Sequence, residues 1–103
     1  MAARDIARMI SASMRPKLAA KARLRLDRKT GRTMLLYPER GLELSGTAVD
    51  ILQLCTGEHT VEAIVERLAA KYDGQPREVI EREVSAFLSS MLDRALVRDD
   101  RDG

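Results

Sequence analysis

The spacing of hydrophobic and polar residues changes near the middle of the chain. In the first half, Leu24 and Leu26 alternate with charged residues, which is typical of a half-buried strand. The apolar run 34–37 is bounded by turn residues and fits a central strand that is covered on both faces. Leu42 and Leu44 flank a glutamate on a third short strand. This half therefore predicts a three-stranded antiparallel meander.

The second half has the three-to-four-residue period of helices that bury one face. The apolar stripes occupy three segments, residues 48–55, 61–72 and 80–92. Ser45 or Thr47 can cap the first helix and Thr60 the second, because their side chains accept hydrogen bonds from free N–H groups. Pro76 suits the first turn of the third helix, where a missing N–H costs nothing. Leu96 and Val97 then predict a short closing strand.

These elements predict an α+β fold, winged helix-turn-helix-like, with a three-stranded antiparallel sheet followed by a three-helix bundle. The tight links at residues 57–59 and 73–75 resemble a helix-turn-helix, and the sheet is its wing. With 103 residues there is room for one domain. We expect that domain to span residues 15–98, with a flexible N-terminal tail over 1–14 and a C-terminal tail over 99–103.

Composition favours a folded protein of the cytoplasm. Apolar residues make up 45% of the chain, and the single cysteine, Cys55, cannot form an intramolecular disulfide. No apolar run approaches the length of a membrane span, so no membrane partner is expected.

The sequence offers little for catalysis. Cys55 and His59 are an isolated pair, whereas a metal site needs several such ligands at suitable spacing. Cys55 also falls on the apolar face of its predicted helix, where a small buried hydrophobe is the better interpretation. The carboxylates are spread over helix surfaces, and no glycine-rich phosphate loop is present. We therefore expect no catalytic residue, no metal, no cofactor and no enzyme activity.

Nucleic-acid binding is the alternative that a winged helix raises. The third helix would be the recognition helix, but between residues 76 and 94 it carries three arginines against four acidic residues. That balance has the wrong sign for an approach to phosphates. The sequence does not favour a nucleic-acid partner, and a winged-helix DNA-binding protein stays the alternative.

The predicted sheet has an edge strand with unpaired backbone groups. An extended peptide can pair with such an edge, while a neighbouring helix supplies pockets for its side chains. The same edge can instead be short and guarded by charge, for example by Glu43. It can also pair with a second copy, so the chain is expected to be a monomer or an edge-mediated dimer. Periodicity alone does not decide between these.

The chain contains an ordered set of short motifs, namely Arg15-Pro16, LLYPE at 35–39, LSGTA at 44–48 and Cys55-Thr56-Gly57. This set resembles the PqqD family, the peptide chaperones of pyrroloquinoline quinone (PQQ) biosynthesis. The resemblance implies a RiPP recognition element, that is, a domain that binds ribosomally made peptides for modification. It also implies that the chain binds the precursor peptide PqqA and presents it to the radical SAM enzyme PqqE. The recognition element of another modified-peptide pathway is a second possibility.

The resemblance also implies where the peptide binds, namely along the third strand and against the third helix. The residues expected to pair through their backbones are Gly41, Leu42, Glu43, Leu44 and Ser45. The residues expected to form the helical wall are Val79, Arg82, Glu83, Ala86 and Phe87, although Phe87 is also a candidate core residue.

Charge is distributed unevenly along the chain. Residues 1–41 hold eleven basic and three acidic residues, whereas residues 42–103 hold seven basic and thirteen acidic residues. Within the basic half, a cluster is expected to dock the modifying enzyme or to steer acidic peptide side chains. Its members are Lys21, Arg23, Arg25 and Arg28.

Overall fold

The computed structural model describes residues 10–38 and 40–100 and confirms the α+β prediction. The elements in chain order are β1 (Pro16–Leu18), β2 (Arg23–Asp27), β3 (Arg32–Tyr37), β4 (Arg40–Glu43), α1 (Gly46–Gln53), α2 (Val61–Lys71), α3 (Arg77–Asp93) and β5 (Val97–Asp99). The predicted meander corresponds to β2–β4, and the three predicted helices are all present.

The main sheet is antiparallel with the order β2-β3-β4. Leu35 of the central strand lies opposite Leu24 on one side and Leu42 on the other, so these three leucines share one face. Leu35 is completely buried, and the other two pack against the core at its margin. This inner face continues to Leu44, which is also buried. By contrast, Leu26 on the same strand as Leu24 is 58% exposed and extends past the core.

The helix starts follow the sequence signals. The Ser45 hydroxyl accepts a hydrogen bond from the Ala48 N–H at 3.2 Å, and Thr60 caps α2 in the same way. Ser45, and not Thr47, is therefore the N-cap of α1. Pro76 occupies the N-cap position of α3, one residue before the first turn in which it was expected, and its side chain has no acceptor to cap the helix.

The end of α3 is a Schellman motif with an unusual residue at its left-handed position. The Leu96 N–H bonds to Met91 O at 2.9 Å, and the Ala95 N–H bonds to Leu92 O at 3.0 Å. Ala95 has φ 59°, a conformation that glycine usually adopts at this position. The motif turns the chain directly into β5.

A second, two-stranded sheet joins the two ends of the domain. β1 pairs antiparallel with β5, and the Gly57 N–H bonds to Pro16 O at 3.0 Å. The sequence predicted the closing strand but not β1. A three-residue strand that begins with proline has no local periodicity, and its partner lies about eighty residues away in the chain.

Ordered contacts extend beyond both expected domain boundaries. The Met14 side chain is 1% exposed, and its carbonyl oxygen accepts the Val61 N–H at 2.8 Å, which satisfies the free start of α2. At the other end, the Asp100 N–H bonds to Arg15 O at 2.8 Å. The remaining parts of the expected tails, residues 1–9 and 101–103, lie outside the described residues.

An interhelical network fixes α1 against α2. The Asp50 carboxylate accepts hydrogen bonds from Lys71 Nζ at 2.9 Å and from the Tyr72 hydroxyl at 2.5 Å. Desolvation alone would raise the pKa of Asp50, but the hydrogen bonds from Tyr72 and Lys71 outweigh it and hold the pKa below its usual value. The ionised carboxylate therefore stabilises the helical scaffold that lies beside the sheet.

Candidate functional site

The free edge of β4 is the first component of the candidate site. Among the residues that the structure describes, β4 pairs with β3 and with no other strand. The Leu44 N–H bonds to Thr33 O at 3.0 Å, and this bond fixes the phase of the ladder. Backbone groups alternate in direction along an antiparallel strand, so the backbone of Leu42 also points toward β3. The outward-pointing backbone groups of β4 therefore belong to Gly41 and Glu43.

The structure thus divides the five residues expected to pair through their backbones. Gly41 and Glu43 present N–H and C=O groups at the free edge, whereas those of Leu42 and Leu44 are directed to β3. Ser45 caps α1, and its carbonyl oxygen accepts the Val49 N–H at 3.0 Å. A partner strand would consequently find two residues of β4 with both backbone groups available.

The predicted helical wall also divides into two stripes. Val79, Glu83 and Phe87 are spaced by four residues and share one stripe of α3, with Val79 and Phe87 half-buried and Glu83 exposed. Arg82 and Ala86 form the neighbouring stripe, and both are exposed. The stripe that contains Phe87 is therefore the better candidate to contact a bound chain.

Phe87 and Leu42 lie at the margin of the same core. Both are half-buried and pack against the buried cluster, Phe87 from α3 and Leu42 from β4. The closest backbone packing of α3 is with α2 and β5, and that of β4 is with β3. The margin of the core thus includes one apolar side chain of the edge strand and one of α3.

An ion pair links β3 and β4 on the outer face of the sheet. Arg32 Nη1 contacts Glu43 Oε2, and both side chains are more than half exposed. Arg32 is not among the residues that the sequence predicted for the site. The only signal available was the meander itself, which places the start of β3 diagonally opposite the end of β4. The pair places one positive and one negative charge at the end of the exposed edge.

The basic cluster lies along the other edge of the sheet. Arg23 and Arg25 project from the outer face of β2, while Lys21 and Arg28 flank the strand, and all four are exposed. An open groove runs beside Arg25 and Arg28 and is lined by Leu26. Two strand spacings, roughly 10 Å, separate β2 from β4. The cluster is thus on the same sheet as the free β4 edge but does not adjoin it.

The groups considered for catalysis are poorly placed for it. The Cys55 thiol is buried and donates to Ile51 O at 3.2 Å, and burial raises its pKa to about 12. Such a thiol is protonated at neutral pH and is a weak nucleophile. His59 is half-buried in the loop before α2. Within residues 10–38 and 40–100, no three His, Cys, Asp or Glu side chains are grouped to hold a metal ion.

The helices of the described part of the chain are too short or too polar to cross a membrane. The longest, α3, has charged residues throughout its first half.

Comparison with known proteins gives a consistent set of relatives. The family model for coenzyme PQQ synthesis protein D (PqqD) matches residues 32–97. The PqqA binding protein of Rhodopseudomonas palustris strain BisB5 is 39% identical over 102 residues, which cover 99% of this chain and 97% of the relative. The bifunctional coenzyme PQQ synthesis protein C/D of Methylorubrum extorquens is 33% identical over 82 residues, which cover 80% of this chain and 22% of that protein.

A solved structure has the same fold. It is the solution NMR structure of the PqqD truncation of Methylobacterium extorquens PqqCD, which is described as a functional and stand-alone RiPP recognition element. The match has a TM-score of 0.73 at 31% identity and covers 86% of this chain and 94% of the solved chain.

Proposed function

The chain belongs to the PqqD family, and on this basis we propose that it binds the precursor peptide PqqA and presents it to the radical SAM enzyme PqqE. In this role the chain is an accessory protein of the cytoplasm: it performs no chemistry itself and carries no cofactor. Relatives that align along nearly the whole chain are named for PqqA binding, which supports the first part of the proposal.

The observation that carries the proposal is the free edge of β4, whose inner-face Leu42 packs against the same core as Phe87 of α3. Gly41 and Glu43 offer outward backbone groups, which a peptide in extended conformation can pair with irrespective of its sequence. Val79 and Phe87 offer apolar surface for the side chains that such a peptide directs toward the helices. Backbone pairing then supplies affinity, and the apolar stripe supplies selectivity.

We assign enzyme docking to the basic cluster on β2. Because Arg23 and Arg25 lie two strands away from the free edge of β4, a peptide bound there leaves them open to a second partner. Exposed cations accelerate association with an acidic surface and make the rate depend on salt. The existence of a C/D fusion in M. extorquens supports a recognition domain that works next to a biosynthetic enzyme.

The experiment that tests presentation combines the chain with PqqA and PqqE and follows cross-linked PqqA by mass spectrometry. We expect the chain to increase the rate of product formation. Product formation that is equally fast without the chain would contradict presentation. Calorimetry measures PqqA binding separately, so a failure to present the peptide can be told apart from a failure to bind it.

A further inference from the structure

On the outer face of the sheet, Gly41 and Glu43 of β4 have a neighbouring strand on one side only within the described part of the chain. Residues directly opposite each other on paired strands project from the same face. One outer row runs from Arg23 through Leu36 to Gly41, and the next runs from Arg25 through Met34 to Glu43. A strand that pairs with β4 would extend both rows by one side chain.

Gly41 leaves apolar side chains accessible at the edge. A Cβ added at Gly41 would lie 3.2 Å from Leu36 Cδ2 and 3.4 Å from Met34 Cε, so these two side chains lie over the glycine and reach toward the free edge. Both are only half-buried, although they are on the face opposite the core. A large apolar or aromatic side chain on an incoming strand would cover this glycine and contact Leu36, a pairing known to rescue edge glycines.

Glu43 adds a charged position next to the apolar one. Its carboxylate is 53% exposed and contacts Arg32 through Oε2. A carboxylate has capacity for several donors, so a lysine or arginine on the incoming strand can share it with Arg32. A directly opposed pair of opposite charge on neighbouring strands strengthens pairing by roughly two- to fivefold in affinity.

We propose that the outer face of the sheet reads two residues of the bound peptide: a large apolar or aromatic residue opposite Gly41 and a basic residue opposite Glu43. The inference rests on the proposed binding of a peptide strand to β4. The two peptide residues are separated by one position, whichever direction the peptide runs, because side chains on one face of a strand recur every second residue. The residue between them points to the inner face of the sheet, on which the core lies. Gly41 and Glu43 are thus specificity-determining residues as well as sources of backbone hydrogen bonds.

The test is a set of double-mutant cycles with the precursor peptide PqqA, measured by calorimetry. Each lysine and arginine of the peptide is replaced in turn by glutamine, and every peptide is titrated into the wild-type chain and into Glu43→Gln. We expect that replacing one of these basic residues lowers the affinity for the wild-type chain by about two- to fivefold and leaves the affinity for Glu43→Gln unchanged. Replacing the large apolar peptide residue two positions away with alanine should lower the affinity for the wild-type chain by a similar factor. The same peptide replacement should leave the affinity for the Leu36→Ala variant of the chain unchanged.

The variant Arg32→Gln tests whether the ion pair between Arg32 and Glu43 affects peptide specificity or only holds β3 against β4. It frees the Glu43 carboxylate, so the coupling to the basic peptide residue should increase. If Arg32→Gln lowers the affinity and no peptide position couples to Glu43, the pair only holds β3 against β4, and the proposal is overturned. That result leaves the proposed function standing, provided that the amide signals of β4 still shift when PqqA is added. Failure of PqqA to bind the wild-type chain would refute the proposed function itself.

Discussion

The two edges of the main sheet differ in what lies beside them. On β2 the outward backbone groups belong to Leu24 and Leu26, because Arg23 and Arg25 are in the phase that bonds to β3. On β4 the outward backbone groups belong to Gly41 and Glu43, three of the four residues of the strand are exposed, and the Leu36 and Met34 side chains lie over Gly41. Both strands are unpaired on one side among the described residues.

Under the proposed function, this difference lets the peptide bind at one edge of the sheet and leaves the other edge for the modifying enzyme. Charged side chains along an edge discourage another strand from pairing with it. The four cations around β2 therefore guard that edge while they remain available to an acidic protein surface. The β4 edge has a glycine at its centre and apolar side chains on both faces, so an added strand gains contacts beyond its backbone. The side chains around an unpaired edge therefore determine whether another strand is expected to bind there.

The largest expected effect comes from a proline placed at each edge. Glu43→Pro removes an outward N–H of β4 and puts a ring in the path of an incoming strand, so PqqA affinity should fall by at least about tenfold. Leu26→Pro is the matched control, since it removes an outward N–H of β2. It should bind PqqA like the wild-type chain in calorimetry. Equal losses of PqqA affinity in both variants would contradict the assignment of peptide binding to β4 and not to β2.

Two further variants show that the loss at Glu43→Pro reflects the edge. Glu43→Ala removes the carboxylate but keeps the N–H, so it should lose only the roughly two- to fivefold in affinity expected for one cross-strand charge pair, much less than Glu43→Pro loses. Leu42→Pro removes an inward N–H and should loosen the sheet itself, which a loss of β-structure in circular dichroism would reveal.

Charge reversal on β2 should produce a smaller effect on a different partner. In the double variant Arg23→Glu, Arg25→Glu, association with PqqE should slow by about tenfold at low salt and lose its salt dependence, while PqqA affinity stays unchanged. Stopped-flow kinetics at several salt concentrations measures both. If association with PqqA slows instead, the cluster steers the peptide and does not dock the enzyme.

The scaffold shared by both edges should respond to pH through Asp50. Its folded pKa lies below the unfolded value, so its contribution to stability is present above the unfolded pKa and is lost as pH falls through the folded pKa. Asp50→Asn should cost about 1 kcal/mol in the free energy of unfolding at pH 7. The difference from the wild-type chain should shrink below about pH 4. Urea titrations at both pH values check this, and a difference that persists at pH 2 would contradict it.

The smallest effect is expected at the end of α3, away from both edges. Ala95→Gly relieves the left-handed backbone conformation and should stabilise the fold by about 0.5–1 kcal/mol, which raises Tm by a few degrees. Calorimetric melting measures the change, and PqqA affinity should not move. A lower Tm would show that the Schellman motif tolerates alanine without strain.

Local signals in the sequence were sufficient for the main sheet and the three helices but not for elements that depend on distant partners. Thr60 caps α2 as expected, because capping depends on residues a few positions apart. β1 and the buried Met14 were missed, because each is fixed by contacts with distant parts of the chain and not by local periodicity. Leu26 has the same alternation as Leu24 yet is exposed, since periodicity does not show where the core ends.

The candidate site was predictable only in outline. The family resemblance pointed to the β4 edge and to α3, but it did not distinguish the two backbone directions along residues 41–45. That distinction depends on the Leu44–Thr33 hydrogen bond, which the sequence does not reveal. The role of Arg32 likewise follows from the register of β3 and β4.

The most direct test of the account is an amide-resolved NMR titration of the chain with PqqA. We predict that the amide signals of Gly41 and Glu43 shift the most, together with those of Val79 and Phe87 on α3, while the β2 edge is unaffected. Shifts concentrated at Leu24 and Leu26, or no shifts at saturating peptide, would contradict the assignment of β4 as the peptide-binding edge.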